Sequence, residues 1–263
     1  MYNFNYHRPS SADEAVQAVS SAEEGKFLAG GMTLLPTMKQ RLAAPSDLVD
    51  LTGIAALKGV TDGGDYLVIG AMTTHAEVAA NATVQAKLPA LAALAGGIGD
   101  PQVRHRGTIG GSVANADPAA DYPSAVLALG ATIKTNKREI AADDFFVDLF
   151  ETALDDDEMI LSLSFPLATK AAYAKFPNPA SRYAIVGVFV AQGPAGTRVA
   201  VTGAGPNAFR VAAMESALAQ NLSAAALSGI TVPADTLNGD IHASPAYRAH
   251  LISVMAKRAV NAL

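Results

Sequence analysis

The chain has 263 residues, half of them hydrophobic, with a formal net charge of −5. That length accommodates two domains, or one large domain with a smaller one attached, and the acidic balance excludes the basic footprint of a nucleic-acid binder. Cysteine is absent, which excludes disulfides, thiolate metal sites, cysteine nucleophiles and cysteine-ligated iron–sulfur clusters within this chain.

Taken in order, MYNFNYHRPSSADEA lacks a basic head followed by an apolar run, so no signal peptide is predicted. No apolar stretch, Ala90 to Ala95 and Ala125 to Leu129 included, approaches the roughly 20 residues needed to span a bilayer. A soluble, cytoplasmic chain is the expectation. Ser11 to Ser21 predicts a capped helix with Ala15, Val16 and Val19 on one face. A short strand over Lys26 to Ala29 then meets Gly30-Gly31, and helical spacing resumes from Thr33 to Gln40. Strands are predicted at Asp47 to Leu51 and Leu67 to Gly70, with a turn over Thr61 to Asp65. Thr73-Thr74 before His75-Ala76-Glu77 predicts a helix start, and Ala79 to Ala95 reads as helical on both sides of Pro89.

Gly107 to Pro123, GTIGGSVANADPAADYP, holds a second glycine pair, Gly110-Gly111, followed by Ser112 as Gly30-Gly31 is followed by Thr33. Glycine lets a backbone approach a ligand closely, so successive N–H groups can converge on phosphate oxygens, and Thr33, Thr108 and Ser112 add hydroxyl donors. Each pair could instead close a hairpin. Asp117 and Asp121 raise the question of acid–base work, but Asp117 before Pro118 reads as a helix N-cap. The five histidines have no metal-ligand spacing.

Beyond this motif, a hairpin is predicted around Lys137-Arg138 and a solvated turn over Asp155 to Glu158, then a strand over Met159 to Phe165. The remainder predicts strands at Ala172 to Phe176, Ala184 to Gln192 and Arg198 to Thr202, with helices over Ala208 to Gln220 and Pro245 to Leu263. Gly203 to Ala208 superficially matches a dinucleotide fingerprint. Pro206 removes an N–H inside that loop and the order is not βαβ, so it reads as a turn.

AGGMTLLP together with IGDPQVRHRGTIGGSVANADPAADYP resembles the FAD-binding medium subunits of the molybdenum hydroxylases, the carbon monoxide dehydrogenase and xanthine dehydrogenase family. The resemblance implies an α+β fold: a vanillyl-alcohol-oxidase (PCMH)-type FAD domain of two α+β subdomains over 1–167, split near 55, and a small domain with an antiparallel sheet and helices over 168–263. It places Leu28, Ala29, Gly30, Gly31, Met32, Thr33, Leu34 and Leu35 along the FAD diphosphate. Thr108, Ile109, Gly110, Gly111 and Ser112 complete that cradle, and the segment at Thr73-Thr74 lies near the flavin. Asp121 and Ile98 are further contacts, and Ile160 and Lys175 weaker ones. Asp121 could instead meet a backbone donor, and Tyr183 is either a flavin neighbour or an ordinary strand aromatic. Met32 departs from the family, where many members carry a polar residue.

The function so implied is an electron-exit subunit. FAD on this chain collects electrons from [2Fe–2S] clusters on a small partner chain, with substrate oxidised at a molybdenum cofactor on a large one, in a dimer of heterotrimers. No residue here needs to be an acid or a nucleophile. A free-standing flavin oxidoreductase and a non-catalytic assembly module are the alternatives.

Overall fold

A computed structural model describes all 263 residues. The N-terminal unit alternates strand and helix: β1 (Asn5–His7), α1 (Ala12–Ser20), β2 (Gly25–Leu28), α2 (Leu34–Lys39) and β3 (Asp47–Asp50). Its three strands pair in parallel in the order β1-β3-β2. The Ser11 hydroxyl accepts from Glu14 N and starts α1, which buries Ala15 and Val19 against Val49 and Leu51.

The middle unit begins with β4 (Val60–Asp62) and β5 (Tyr66–Gly70). Helices follow: α3 (His75–Ala80), α4 (Ala82–Lys87), α5 (Pro89–Gly96), α6 (Pro101–Arg104), α7 (Ile109–Asn115) and α8 (Tyr122–Leu129). The chain then runs through β6 (Thr132–Thr135), β7 (Glu139–Ala141), β8 (Phe146–Asp148), β9 (Glu151–Thr152) and β10 (Ile160–Pro166). β4, β5, β10, β6 and β7 form an antiparallel sheet in that order, and β8 pairs with β9 as a separate hairpin. A capping box between Thr74 and Glu77 starts α3.

The C-terminal part is an antiparallel sheet of β11 (Lys170–Pro177), β12 (Ala184–Gly193), β13 (Gly196–Thr202) and β14 (Phe209–Arg210), with α9 (Ala212–Gln220) and α10 (Pro245–Val260). Successive side chains of a strand point to opposite faces, and β12 uses both. Val186, Val188 and Val190 pack with α9 and α10, whereas Phe189 and Ala191 join the core built by α5, α8 and β10.

Five local expectations differ from the structure. Phe209 and Arg210, inside the predicted helix over Ala208 to Gln220, are strand, because they pair with Val201 and Ala200 of β13, and α9 begins only at Ala212. Thr61 and Asp62 of the predicted turn are strand, because they pair with β5 and only Gly63 to Asp65 reverse the chain. Lys170 and Ala171 also belong to a strand, being paired with β12. Asp117 caps no helix: its carboxylate accepts from Ala119 N in a turn, and α8 begins only at Tyr122. Glu158 is buried, not solvated, because Arg138 reaches it with Nε at 3.1 Å and Nη2 at 3.0 Å and the Thr135 hydroxyl donates at 2.6 Å. Gly203 to Ala208 is a turn, as expected, with no helix opening at its end.

The Arg138 hydrogen bonds hold the Glu158 carboxyl down at about 2, against an ordinary 4.5. A carboxyl depressed by folding stabilises the protein above its unfolded pKa, and that contribution fades as pH falls from 4.5 towards 2. Because Arg138 is half-exposed, Glu158→Gln is expected to cost about 1–2 kcal/mol at pH 7. Denaturant titrations of both proteins at pH 7 and pH 3 check this, and the difference should shrink at the lower pH.

Candidate functional site: a cleft between two glycine turns

Neither glycine pair closes a hairpin. Gly30-Gly31 links β2 to α2, and Gly110-Gly111 forms the first turn of α7. The two segments touch through backbone. A Cβ built on Gly30 would lie 2.1 Å from the Arg106 carbonyl oxygen and 2.8 Å from the Gly107 Cα, so only glycine permits the approach. Gly31 has φ +73°, which favours glycine for a second reason.

The two turns differ in what they offer a ligand. None of the six consecutive N–H groups from Ala29 to Leu34 donates a hydrogen bond within the chain. In α7 every early donor is spent: Ile109 N on Thr73 O, Gly110 N on Ala71 O, Gly111 N on the Thr108 hydroxyl and Ser112 N on Thr108 O. The first turn thus presents unsatisfied donors, while the second is a rigid wall packed against Ala71.

Between them lies a cleft of about 740 Å³, within the size range of small-molecule and cofactor sites. It brings together Leu28, Ala29, Gly30, Gly31, Met32, Thr33 and Leu34 with Thr108, Gly110, Gly111 and Ser112. Ile98, Asp121, Ile160 and Tyr183 also line it. Three expected residues do not. Ile109 is fully buried in the core, and Leu35 packs under Gly31 beside the small cluster of Leu28, Met38 and Leu48. Lys175 stands behind Asp121 and points its three N–H bonds at Asp121, the Gly97 carbonyl and the Arg182 carbonyl.

Asp121 is nearly buried, with Tyr173 Oη donating to it at 2.5 Å and Lys175 Nζ at 3.0 Å. Burial raises its carboxyl above the usual range, and Lys175 and Tyr173 oppose that rise. The neighbouring Asp117 is raised by burial too. Tyr183, 45% exposed at the mouth, has its phenol raised by burial and by these two carboxylates. The sequence reading missed Asn115, Phe150 and Arg182 as lining residues, whereas His75, also at the cleft, lies in the segment the resemblance placed near the flavin. Asn115 lay inside the quoted motif and Arg182 beside Tyr183, so proximity in sequence was the available signal; Phe150 gave none.

Residues 2–168 match the family model described as FAD binding domain in molybdopterin dehydrogenase. The carbon monoxide dehydrogenase medium chain of Hydrogenophaga pseudoflava is 36% identical, across 98% of this chain and 96% of that one. The chain belongs to the FAD-binding medium subunits of the molybdenum hydroxylases. Another member, the nicotine 6-hydroxylase medium subunit of Paenarthrobacter nicotinovorans, is 35% identical over 97% of this chain and 95% of its own length. Among solved structures, the Hydrogenophaga pseudoflava carbon monoxide dehydrogenase lacking the Mo-pyranopterin moiety superposes with a TM-score of 0.88 at 34% identity. It covers 99% of this chain and 97% of that one. Quinoline 2-oxidoreductase from Pseudomonas putida 86 gives 0.89 at 27% identity, with coverages of 99% and 96%. The α+β, vanillyl-alcohol-oxidase-type architecture expected from the motifs is therefore the family's and this chain's.

The free donor run and the closed glycine contact fit a bound diphosphate, which has acceptors only and needs close backbone approach. Behind the second turn sits His75, buried, with its ring 5.3 Å from that of Tyr122. Desolvation, reinforced by Arg104, lowers its pKa to about 4 from 6.5. The unfolded chain therefore binds a proton there first, and stability is lost as pH falls from 6.5 towards 4. NMR titration is expected to show a neutral His75 ring at pH 6, with its transition near pH 4.

Proposed function

We propose that this chain holds FAD in the cleft and acts as the electron-exit subunit of a heteromeric molybdenum hydroxylase. The observation that carries this reading is the uninterrupted run of six free N–H donors from Ala29 to Leu34, packed against a second glycine turn. When bound, the flavin supplies the redox chemistry, accepting electrons from [2Fe–2S] clusters on a small partner chain and passing them to an external acceptor.

The residues of this chain bind and orient. The first turn takes the diphosphate through Gly30, Gly31, Met32, Thr33 and Leu34, and Gly111 and Ser112 close the opposite side. Leu28, Ile98 and Ile160 exclude water from the cofactor's apolar parts. Asp121 offers a polar contact from its clamp of Tyr173 and Lys175, and Tyr183 stands at the mouth. Lys175 acts through Asp121. No side chain is assigned a proton-transfer step, since substrate oxidation belongs to a large molybdenum chain. The assembly is a dimer of heterotrimers in the cytoplasm; no helix of this chain is long and apolar enough to cross a membrane. We divide the chain into a FAD domain, 1–167 with two subdomains meeting near 55, and a small domain, 168–263.

Purification of the chain with and without accompanying polypeptides tests the reading. Bound FAD together with an iron–sulfur chain and a molybdenum chain is the expected result. FAD on a lone chain that oxidises substrate would replace it with a free-standing oxidoreductase, and no flavin after reconstitution would sink both.

Gly30→Ala drives a methyl into the Arg106 carbonyl and separates the turns. Its FAD retention is expected to fall by at least about tenfold, or 1.4 kcal/mol. Gly111→Leu, which intrudes from the opposite wall on Thr108 and Ala29, should act in the same direction. Flavin fluorescence during dialysis measures both, with far-UV circular dichroism to verify the fold.

A further inference from the structure

The hairpin of β8 and β9 reaches the cleft mouth, and nothing in the cofactor cradle accounts for its shape. Residues 147–151 are all exposed. Three of them are large and apolar: Val147, Leu149 and Phe150, each more than half exposed. Apart from Met1 and Tyr2 at the terminus, the other exposed large apolar side chains occur singly along the chain. Single ones are ordinary, whereas a contiguous set marks an interaction surface.

The tip is held out on a fixed base. Phe145 is fully buried and meets Phe146 edge-on at 5.1 Å, and the Phe146 carbonyl accepts from Asn207 Nδ2 at 3.2 Å. Phe150 has φ +54°, a left-handed conformation that a bulky aromatic adopts at a cost. Pairing of Phe146 with Thr152 and of Asp148 with Glu151 keeps it in that conformation. An aromatic fixed in place before contact loses little freedom when it enters a pocket.

Around the tip carboxylates outnumber cations. Asp148, Glu151 and Asp156 are exposed, and no cation pairs with any of them, while Lys137 neutralises only Asp155 and Asp157. Phe150, Glu151, Thr152, Asp155 and Asp156 also line the cleft.

We propose that the β8–β9 hairpin is the docking element for the iron–sulfur chain, seating Leu149 and Phe150 in an apolar pocket whose rim carries lysine or arginine. The inference rests on the electron-exit reading above. Electrons have to enter at the cleft, so their donor has to sit at its mouth, and this hairpin is the anchored apolar surface there. The acidic rim selects a basic partner and steers its approach.

The test uses the full chain, tagged and purified from its native host with its accompanying subunits. Wild type is compared with Leu149→Ser, with Val147→Ser combined with Leu149→Ser, and with Asp148→Lys, all at exposed hairpin positions outside the lining of the cofactor cleft. The iron–sulfur chain is identified by mass and by its cluster spectrum, and flavin is counted per chain. Retention of the iron–sulfur chain is expected to fall by about tenfold or more in the apolar variants, with flavin content and Tm unchanged. The charge-reversal variant should lose it at low salt, with the difference from wild type shrinking as salt rises.

Variants that keep the iron–sulfur chain at wild-type level overturn the proposal. So does loss of flavin with that chain retained, which would make the hairpin part of the cofactor site. Selective loss of the molybdenum chain, or of self-association, would assign the hairpin to a different occupant. A wild-type chain that carries FAD but never an iron–sulfur chain defeats the electron-exit reading itself, and the docking role with it.

Discussion

The cleft depends on one contact, the approach of the Gly30 backbone to the Arg106 carbonyl and Gly107. It joins the parallel N-terminal sheet to the loop that feeds α7, and no side chain comes between. Two consequences are built on that contact. The donors of Ala29 to Leu34 meet no acceptor within the chain, whereas α7 spends its own early donors on Thr73, Ala71 and Thr108. One turn offers polarity and the other stiffness. A bound anion therefore satisfies groups that would otherwise rely on solvent, without competing against existing bonds.

A second constraint runs from the cleft into the C-terminal sheet. Asp121 opens α8, yet its carboxylate is held by Tyr173 and Lys175 of β11. All three Lys175 donors are committed, to Asp121 and to two carbonyls from different segments. The wall of the cleft and the docking of the sheet are thus one polar cluster. By linkage, a ligand that stabilises Asp121 in place also stabilises the sheet's seating, and the reverse holds equally.

Much of this was legible in the sequence because it is local. The capped starts of α1 and α3, the strand before Gly30 and the hairpin at Lys137-Arg138 each follow from a few adjacent residues. So does the rejection of the Gly203 turn as a dinucleotide site, since Pro206 is visible in the string. What failed was long-range. Glu158 is buried by an arginine twenty residues earlier, and the acidic run around it gave no hint. Ile109 lies within the second motif and Lys175 at a weaker expected contact position, but neither lines the cleft, Ile109 being sunk in the core and Lys175 committed behind Asp121. A motif marks a stretch of chain, and only packing decides which of its side chains reach the cavity. At Thr108 the hydroxyl oxygen also accepts from Gly111 N as the cap of α7, which leaves its O–H able to donate.

The two-faced use of β12 bears on how this chain can be divided. Phe189 and Ala191, with Ala200 of β13 and Ala208 beyond it, fill the same core as α5, α8 and β10. Residues 2–168 match one family model, but they are not a closed body. Ending the chain at 168 would strip the outer layer from that core and leave an apolar surface in water, together with an Asp121 deprived of both partners. The segment that matches the family model and the body that closes the core have different edges, and residues 2–168 need the sheet that follows them before they can be a stable object.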